Sequence, residues 1–280
     1  MAQPIDHHFI PRFFLRPWCG DDGRLTCFAI KHGRLCIDSY TPAQVAKQPY
    51  LYSLHGVSPE QAQVIETDIL RPIDDAAAPI HKILFDRSIL NLTAKQREAW
   101  GRFIISLRAR TPQIITTIRA KGRQTIIDEF MRNPEEFEAI KGSLPHASLV
   151  DLIQEKAPAL VDNFGLTNVF PQVLLESEIL PHFLALNWQV LDFRRDRYRL
   201  FLSDNPVFIH GHKDDVWLWV LPISPSRAFV AANRPLNELR DPVKEANISA
   251  IRQSISYIYA CSSKGHRFIE RNWSPASLKV

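Results

Sequence analysis

Arg110, Glu66, Asp204 and the His7–His8 pair stand where apolar side chains are due, and their types could do chemistry together. Arg110 follows Leu107 by three residues and precedes Ile114 by four, so on a helix it projects from their apolar stripe. A guanidinium keeps its proton, so in a core it needs an anion or several carbonyls. Arg110 therefore either snorkels to the surface or grips a carboxylate or an anionic ligand in bidentate fashion. Pro112, two residues on, would bend the helix there. Glu66, in VIETDILRPI, precedes Ile69 by three residues and Leu70 by four. It reads as a rim residue, a metal ligand, a general base or the partner of Arg110. Asp204 and Asn205 lie in FLSDNPVF, where Ser-Asp-Asn-Pro is strong turn chemistry. The carboxylate would cap backbone N–H groups there, or be held rigidly at a sheet end as a functional group with ligand-binding Asn205 beside it. His7 and His8 precede Pro11 and an aromatic run, and on an extended chain they point to opposite faces. Either one is packed and the other solvated, or one is a proton shuttle or a metal ligand.

Two carboxylates and a histidine can hold a divalent metal, with His8, Glu66 and Asp204 as candidate ligands, and an arginine can stabilise phosphate charge. His7, His8, Glu66, Arg110 and Asp204 form a catalytic set suited to phosphodiester or nucleotide hydrolysis, nuclease-like and dependent on that metal. Without metal, histidine would act as general acid–base with Asp204 orienting it. The alternative is a non-catalytic sensor module in which the same residues recognise a small anion, a phosphorylated molecule or nucleic acid. A purely structural network is the third reading. His210-x-His212 and the charge run RRDRYR at 194–199 both read first as solvated turns, with a metal pair and a phosphate-binding tip as the sharper options.

These residues need elements to carry them. RLTCFAIK and RLCIDSY read as strands of a hairpin joined by His32-Gly33. TPAQVAKQ reads as a short helix. Ser58-Pro59-Glu60-Gln61 and Thr93-Ala94-Lys95-Gln96 carry helix-start chemistry. The first helix runs toward Leu84 past Pro72 and Pro79, and the second carries Trp100, Phe103, Ile104, Leu107 and Ile114 at helical spacing. More helices are expected at 148–160 and 168–187, four or five strands from Trp188 to Asn233, and helix again over 241–262. The expected fold is one α+β domain over 1–280. Short antiparallel strands from both ends form a mixed sheet, and a large helical block, roughly 58–187, lies between them.

The 280 residues are 45% hydrophobic and 23% charged, which suits a packed core. A net charge of +4 permits polyanion contact without demanding it. Cys19, Cys27, Cys36 and Cys261 form no C-x-x-C pair, which argues against a zinc knuckle. MAQPIDHHF has no signal-like segment, and no run is long and apolar enough to span a bilayer, so a cytoplasmic protein without membrane contact is expected. No P-loop, G-x-G-x-x-G, G-x-S-x-G or H-E-x-x-H is present.

HHFIPRFFLRPW and SDNPV resemble motifs of a widespread bacterial family, the domain of unknown function numbered 4238. The resemblance runs over nearly the whole chain and matches His7, His8 and Pro11; Arg110 and Pro112; Ser203, Asp204 and Pro206; and Asn247. It implies that Asn247, on a late helix, joins Asn205 in ligand binding. Pro17-Trp18 replaces the Asn-Phe common in the family. The family implies no reaction. A defence or mobile-element setting is the biology expected for the nuclease-like or sensor readings.

Overall fold

A computed structural model describes residues 6–273, apart from 87–88, 90–91, 133, 177, 197, 213–214 and 235–240. The strands are β1 (Asp6–His8), β2 (Leu25–Lys31), β3 (Arg34–Tyr40), β4 (Lys47–Pro49), β5 (Asn187–Asp192), β6 (Leu202–Ser203), β7 (Phe208–His212), β8 (Asp215–Ser224), β9 (Arg227–Ala232) and β10 (Tyr257–Ala260). The helices are α1 (Arg12–Leu15), α2 (Pro59–Ala62), α3 (Arg71–Asp86), α4 (Ala94–Ala109), α5 (Pro112–Arg132), α6 (Pro134–Ile140), α7 (Leu149–Lys156), α8 (Pro158–Phe164), α9 (Ile179–Ala185), α10 (Pro242–Gln253) and α11 (His266–Asn272). The fold is α+β. The chain forms two compact units and passes between them repeatedly. The first comprises 1–7, 48–72 and 109–177, and the second comprises 8–47, 73–108 and 178–280.

The second unit holds two four-stranded sheets, ordered β3-β2-β10-β6 and β5-β9-β8-β7, with antiparallel neighbours throughout. Strands from both ends of the chain do share the first of them. Its β2–β3 hairpin turns at His32 (φ 51°) and Gly33 (φ 73°), the paired left-handed residues that a two-residue turn needs to match strand twist. Phe28, Ile258 and Ala260 pack on one side of this sheet against Ala250 and Ile251 of α10 and Ile269 of α11. The second sheet carries an aromatic cluster in which Phe229 meets Trp100, Phe183 and Trp188 at 5.1–6.2 Å between ring centroids.

Three elements differ from the sequence reading. TPAQVAKQ is a turn: the Gln44 side-chain oxygen accepts from Thr41 N and Oγ1, and Ala46 adopts φ 51°, which stops a helix. The helix expected over 241–262 is α10 and ends at Gln253, and Ile258 belongs to β10, paired with Phe28 and Ser203. The helix expected to bend at Pro112 is two helices, with Arg110 and Thr111 between α4 and α5. Pro112 has no N–H to donate and disfavours helix at Thr111, so the chain restarts there.

In the first unit, residues Ile65–Leu70 form a π-helical segment leading into α3. Pro72 cannot donate to the carbonyl of Asp68 and its ring crowds that group, which the wider turn relieves. Helix α5 buries Ile115, Ile118 and Ile126 and approaches the 165–169 segment at a pair of glycines. A Cβ on Gly122 would lie 2.3 Å from Gly165 Cα, and one on Gly165 would lie 2.3 Å from the Ile118 carbonyl oxygen. Backbone meets backbone there, so no side-chain rotation can make room.

Gly122→Ala is therefore expected to cost more than the ~1 kcal/mol that alanine adds in helix propensity, with a net loss of about 2 kcal/mol or more in urea unfolding. An unchanged or raised midpoint would contradict this close approach. A second expectation concerns His81 of the second unit, buried against Phe14 at 4.9 Å and stacked on Trp100 at 6.1 Å, with Nε2 hydrogen-bonded to the Ile223 carbonyl at 2.9 Å. Burial pulls its pKa below 6.5, with the Ile223 bond a smaller opposing effect. The unfolded chain takes up a proton below 6.5 that the folded chain refuses, so this contribution is present above 6.5 and lost as pH falls. His81→Phe should flatten the dependence of unfolding free energy on pH between 7.5 and 5.5, and a slope equal to wild type would refute the assignment.

Candidate functional site

In the first unit, His7, Arg110 and the missed Tyr52 form one buried cluster. The His7 ring lies parallel to the Tyr52 ring, centroids 5.4 Å apart. Tyr52 N–H donates to His7 Nδ1 at 2.9 Å, which leaves Nε2 to carry the proton and donate to Gln63 Oε1 at 2.8 Å. Both imidazole nitrogens are thus occupied in a neutral tautomer. The Tyr52 hydroxyl donates to the Arg110 backbone carbonyl at 2.8 Å, and Arg110 has 0% exposure. Arg119 donates to the carbonyls of Ser53 at 2.7 Å and Leu51 at 3.4 Å. Asn163 closes the loop by bonding both N and O of His55 at 2.9 Å. Residues 51–55 have no strand partner, so these side chains satisfy their backbone. Glu66 lies half-buried in the π-helical segment of the same unit.

His8, Asp204, Asn205 and Asn247 belong to the second unit. His8 is half-buried on β1, whereas its neighbour His7 is buried, as alternation along a strand requires. The Asp204 carboxylate accepts from the backbone N–H of Ile255 (2.9 Å), Ser256 (2.7 Å) and Tyr257 (2.9 Å). Asp204 N donates to the Tyr257 carbonyl at 3.0 Å, and Ser254 Oγ donates to it as well. Burial raises the Asp204 pKa, and the three N–H groups oppose that rise. Asn247 does similar work on α10: its oxygen accepts from Phe201 N at 2.8 Å and its nitrogen donates to the Arg199 carbonyl at 2.9 Å. The Asn205 carbonyl accepts from the Gln253 carboxamide.

Arg194 and Arg199 of the charge run are engaged in local structure. Arg199 donates to the carbonyls of Phe193 and Asp196, and Arg194 pairs with Asp192 at 2.7 Å. Arg197 lies outside the described residues. His210 and His212 lie on β7, interrupted by a bulge at His210/Gly211, and the His210 ring faces Trp217 at 6.4 Å. Cys27 is buried and its thiol is pushed up to about 12 by burial, while Cys36 is half-exposed on β3.

Among the described residues, no group of three or more His, Cys, Asp or Glu side chains is placed to hold a metal ion. The donor set of Asp204 fits that finding, because both its oxygens already face backbone N–H groups. Two cavities lie in the second unit. One, about 150 Å³, is apolar and lies between α10 and the sheet β5-β9-β8-β7, lined by Leu191, Phe208, Trp217, Val230 and Ala246. The other, about 190 Å³, lies on the open face of β3-β2-β10 and is bordered by Lys31, Asp38, Tyr40, Lys47, Tyr257 and Tyr259. The tyrosines escaped the sequence reading because their spacing resembles core packing and their strand was read as helix.

The chain belongs to the family described as a protein of unknown function (DUF4238), whose model matches residues 6–264. No curated protein and no solved structure matches it. Among the described residues, no helix is long and apolar enough to cross a membrane.

Asp204→Ala should lose about 2–4 kcal/mol in urea unfolding, because three backbone N–H groups lose a buried acceptor. Asp204→Asn should lose less, since one oxygen remains for two of them while the new NH₂ faces the third. Equal stability of all three proteins would show that the carboxylate is not holding this turn.

Proposed function

We propose that the protein is a non-catalytic recognition module for nucleic acid, bound through its second unit. One observation carries this reading: charge is segregated between the units. The second unit has 26 Lys and Arg against 17 Asp and Glu, a net of +9. The first has 8 against 13, a net of −5. The whole-chain value of +4 conceals this division. A unit with that excess of cations attracts a phosphate backbone by releasing its counterions. Lys31 and Arg34 are exposed at the β2–β3 turn, and Lys264, Arg267 and Arg271 are exposed on and beside α11.

The engaged side chains support recognition over hydrolysis. His7 and Asp204 spend their proton-accepting atoms on backbone and carboxamide groups, and a general base must keep one for the substrate. Metal-dependent hydrolysis has weaker support, because the candidate ligands include Asp204, whose oxygens are already committed.

Binding of labelled single-stranded and duplex oligonucleotides, followed by anisotropy across a salt series, tests the reading. The association constant should fall linearly with salt on a double-logarithmic plot. Arg267→Glu with Arg271→Glu, one turn apart on α11, should weaken binding to every sequence and lower the salt slope by about 1 per lost phosphate contact. Absence of binding at low salt would sink the proposal.

A further inference from the structure

The 190 Å³ cavity on the open face of the first sheet has a built floor and wall. The register places Tyr257 beside Ala29 and Cys36, and Tyr259 beside Cys27 and Asp38, so these residues share one face. The opposite face carries Phe28 and Ile258 and is buried in the core. Tyr257 stands 40% exposed at the start of β10, and Tyr259, at 0%, lies behind it. Their rings are nearly parallel, 13° apart, with centroids separated by 6.5 Å. Lys31 and Asp38 lie 3.7 Å apart across the strands, and Tyr40 donates to Asp38 Oδ2 at 3.4 Å.

The Tyr259 hydroxyl is the unexplained group. It is buried and makes no hydrogen bond at ordinary geometry among the described residues. The backbone amide of Ala46, which approaches its oxygen, can only donate. Its own proton therefore has no acceptor among the described residues, and a buried donor left so is unfavourable. A ligand seated in the cavity with a carbonyl oxygen or ring nitrogen would relieve it. The volume suits such a ligand: an engineered cavity of about 150 Å³ takes one benzene ring.

We propose that this face binds one unpaired nucleobase of a single strand, stacked on Tyr257 and accepting the Tyr259 hydroxyl proton. Asp38 and Lys31 offer an acceptor and a donor to the base edge, and the cation supports the adjoining phosphate. A base inside a duplex is stacked on both sides and cannot enter. The proposal deepens the nucleic-acid reading and rests on it. The turn held by Asp204 sets Tyr257 at the edge of the cavity.

The test uses the full chain with labelled single-stranded RNA and DNA, a duplex, and free nucleoside monophosphates. Tyr257→Ala should weaken single-strand binding about 5- to 150-fold, the range of a lost base–aromatic stack, while duplex affinity and salt slope stay unchanged. Tyr257→Trp should restore it, and Tyr259→Phe should cost about 5-fold. Thermal unfolding of each variant checks that the fold survives. Single-strand binding unaffected by Tyr257→Ala overturns the base site and leaves the nucleic-acid reading standing. Monophosphate binding that needs Tyr257, without oligonucleotide binding, supports the base site and overturns the nucleic-acid reading. Absence of both overturns both.

Discussion

The second unit depends on a buried carboxylate surrounded by backbone N–H groups. Asp204 takes three of them from consecutive residues, 255–257, at the point where α10 ends and β10 begins. A helix end and a strand start both leave amides without ladder partners, and burial would make each of them costly. One carboxylate satisfies all three and fixes the direction in which the chain leaves the turn. The hydrogen bonds stabilise the ionised form while desolvation opposes it, and desolvation wins by raising the pKa. The charge is thus held at some expense, which makes geometry, more than net energy, the gain from this residue. Strand β10 is inner in its sheet, between β2 and β6, so its register governs Phe28, Ile258 and Ala260 in the core.

The same logic recurs in the first unit with different residue types. The 51–55 segment runs without a strand partner, and His7, Arg119 and Asn163 bond its backbone one group at a time. Tyr52 links two of the residues that break the apolar pattern, offering its amide to His7 and its hydroxyl to the Arg110 carbonyl. Polar side chains whose neighbours are apolar are thus set where irregular backbone is buried. Pattern-breaking is a signature of this service as much as of chemistry.

That ambiguity decides how much was legible in the sequence. The β2–β3 hairpin was readable because Gly33 and the alternating flanks act locally. The α+β class followed from the same strand signals, and strands from both ends do share one sheet, but β2 meets the late strands through β10, which was read as helix. Strand β10 was not readable, because Ile248, Ile251, Ile255 and Ile258 continue a helical spacing, and the break comes from an aspartate some fifty residues away. The helix at TPAQVAKQ failed for a local reason: Gln44 turned back onto Thr41. Among the site residues, Asp204 and His7 stood out by type, but their commitments were invisible, since the partners are main-chain groups that carry no residue identity. Tyr257 had no signal at all until its strand was known.

A rigid scaffold and the recognition face proposed for this unit make compatible demands on it. Binding costs side-chain and loop entropy, and a group on a strand fixed at its origin has little left to lose. Tyr257 starts a strand pinned at its amide by Asp204 and at its carbonyl by Asp204 N and Ser254, so its Cα is fixed before any ligand arrives. The ring alone retains freedom, through two torsions. The cations near it, Lys31 and Arg34, lie exposed at a hairpin turn on long side chains that can reach a backbone passing over the face. Placing the aromatic group on rigid backbone and the charges on exposed hairpin residues separates two tasks. In the proposed reading, the first would select an unstacked ring by shape, and the second would attract any phosphate chain regardless of sequence.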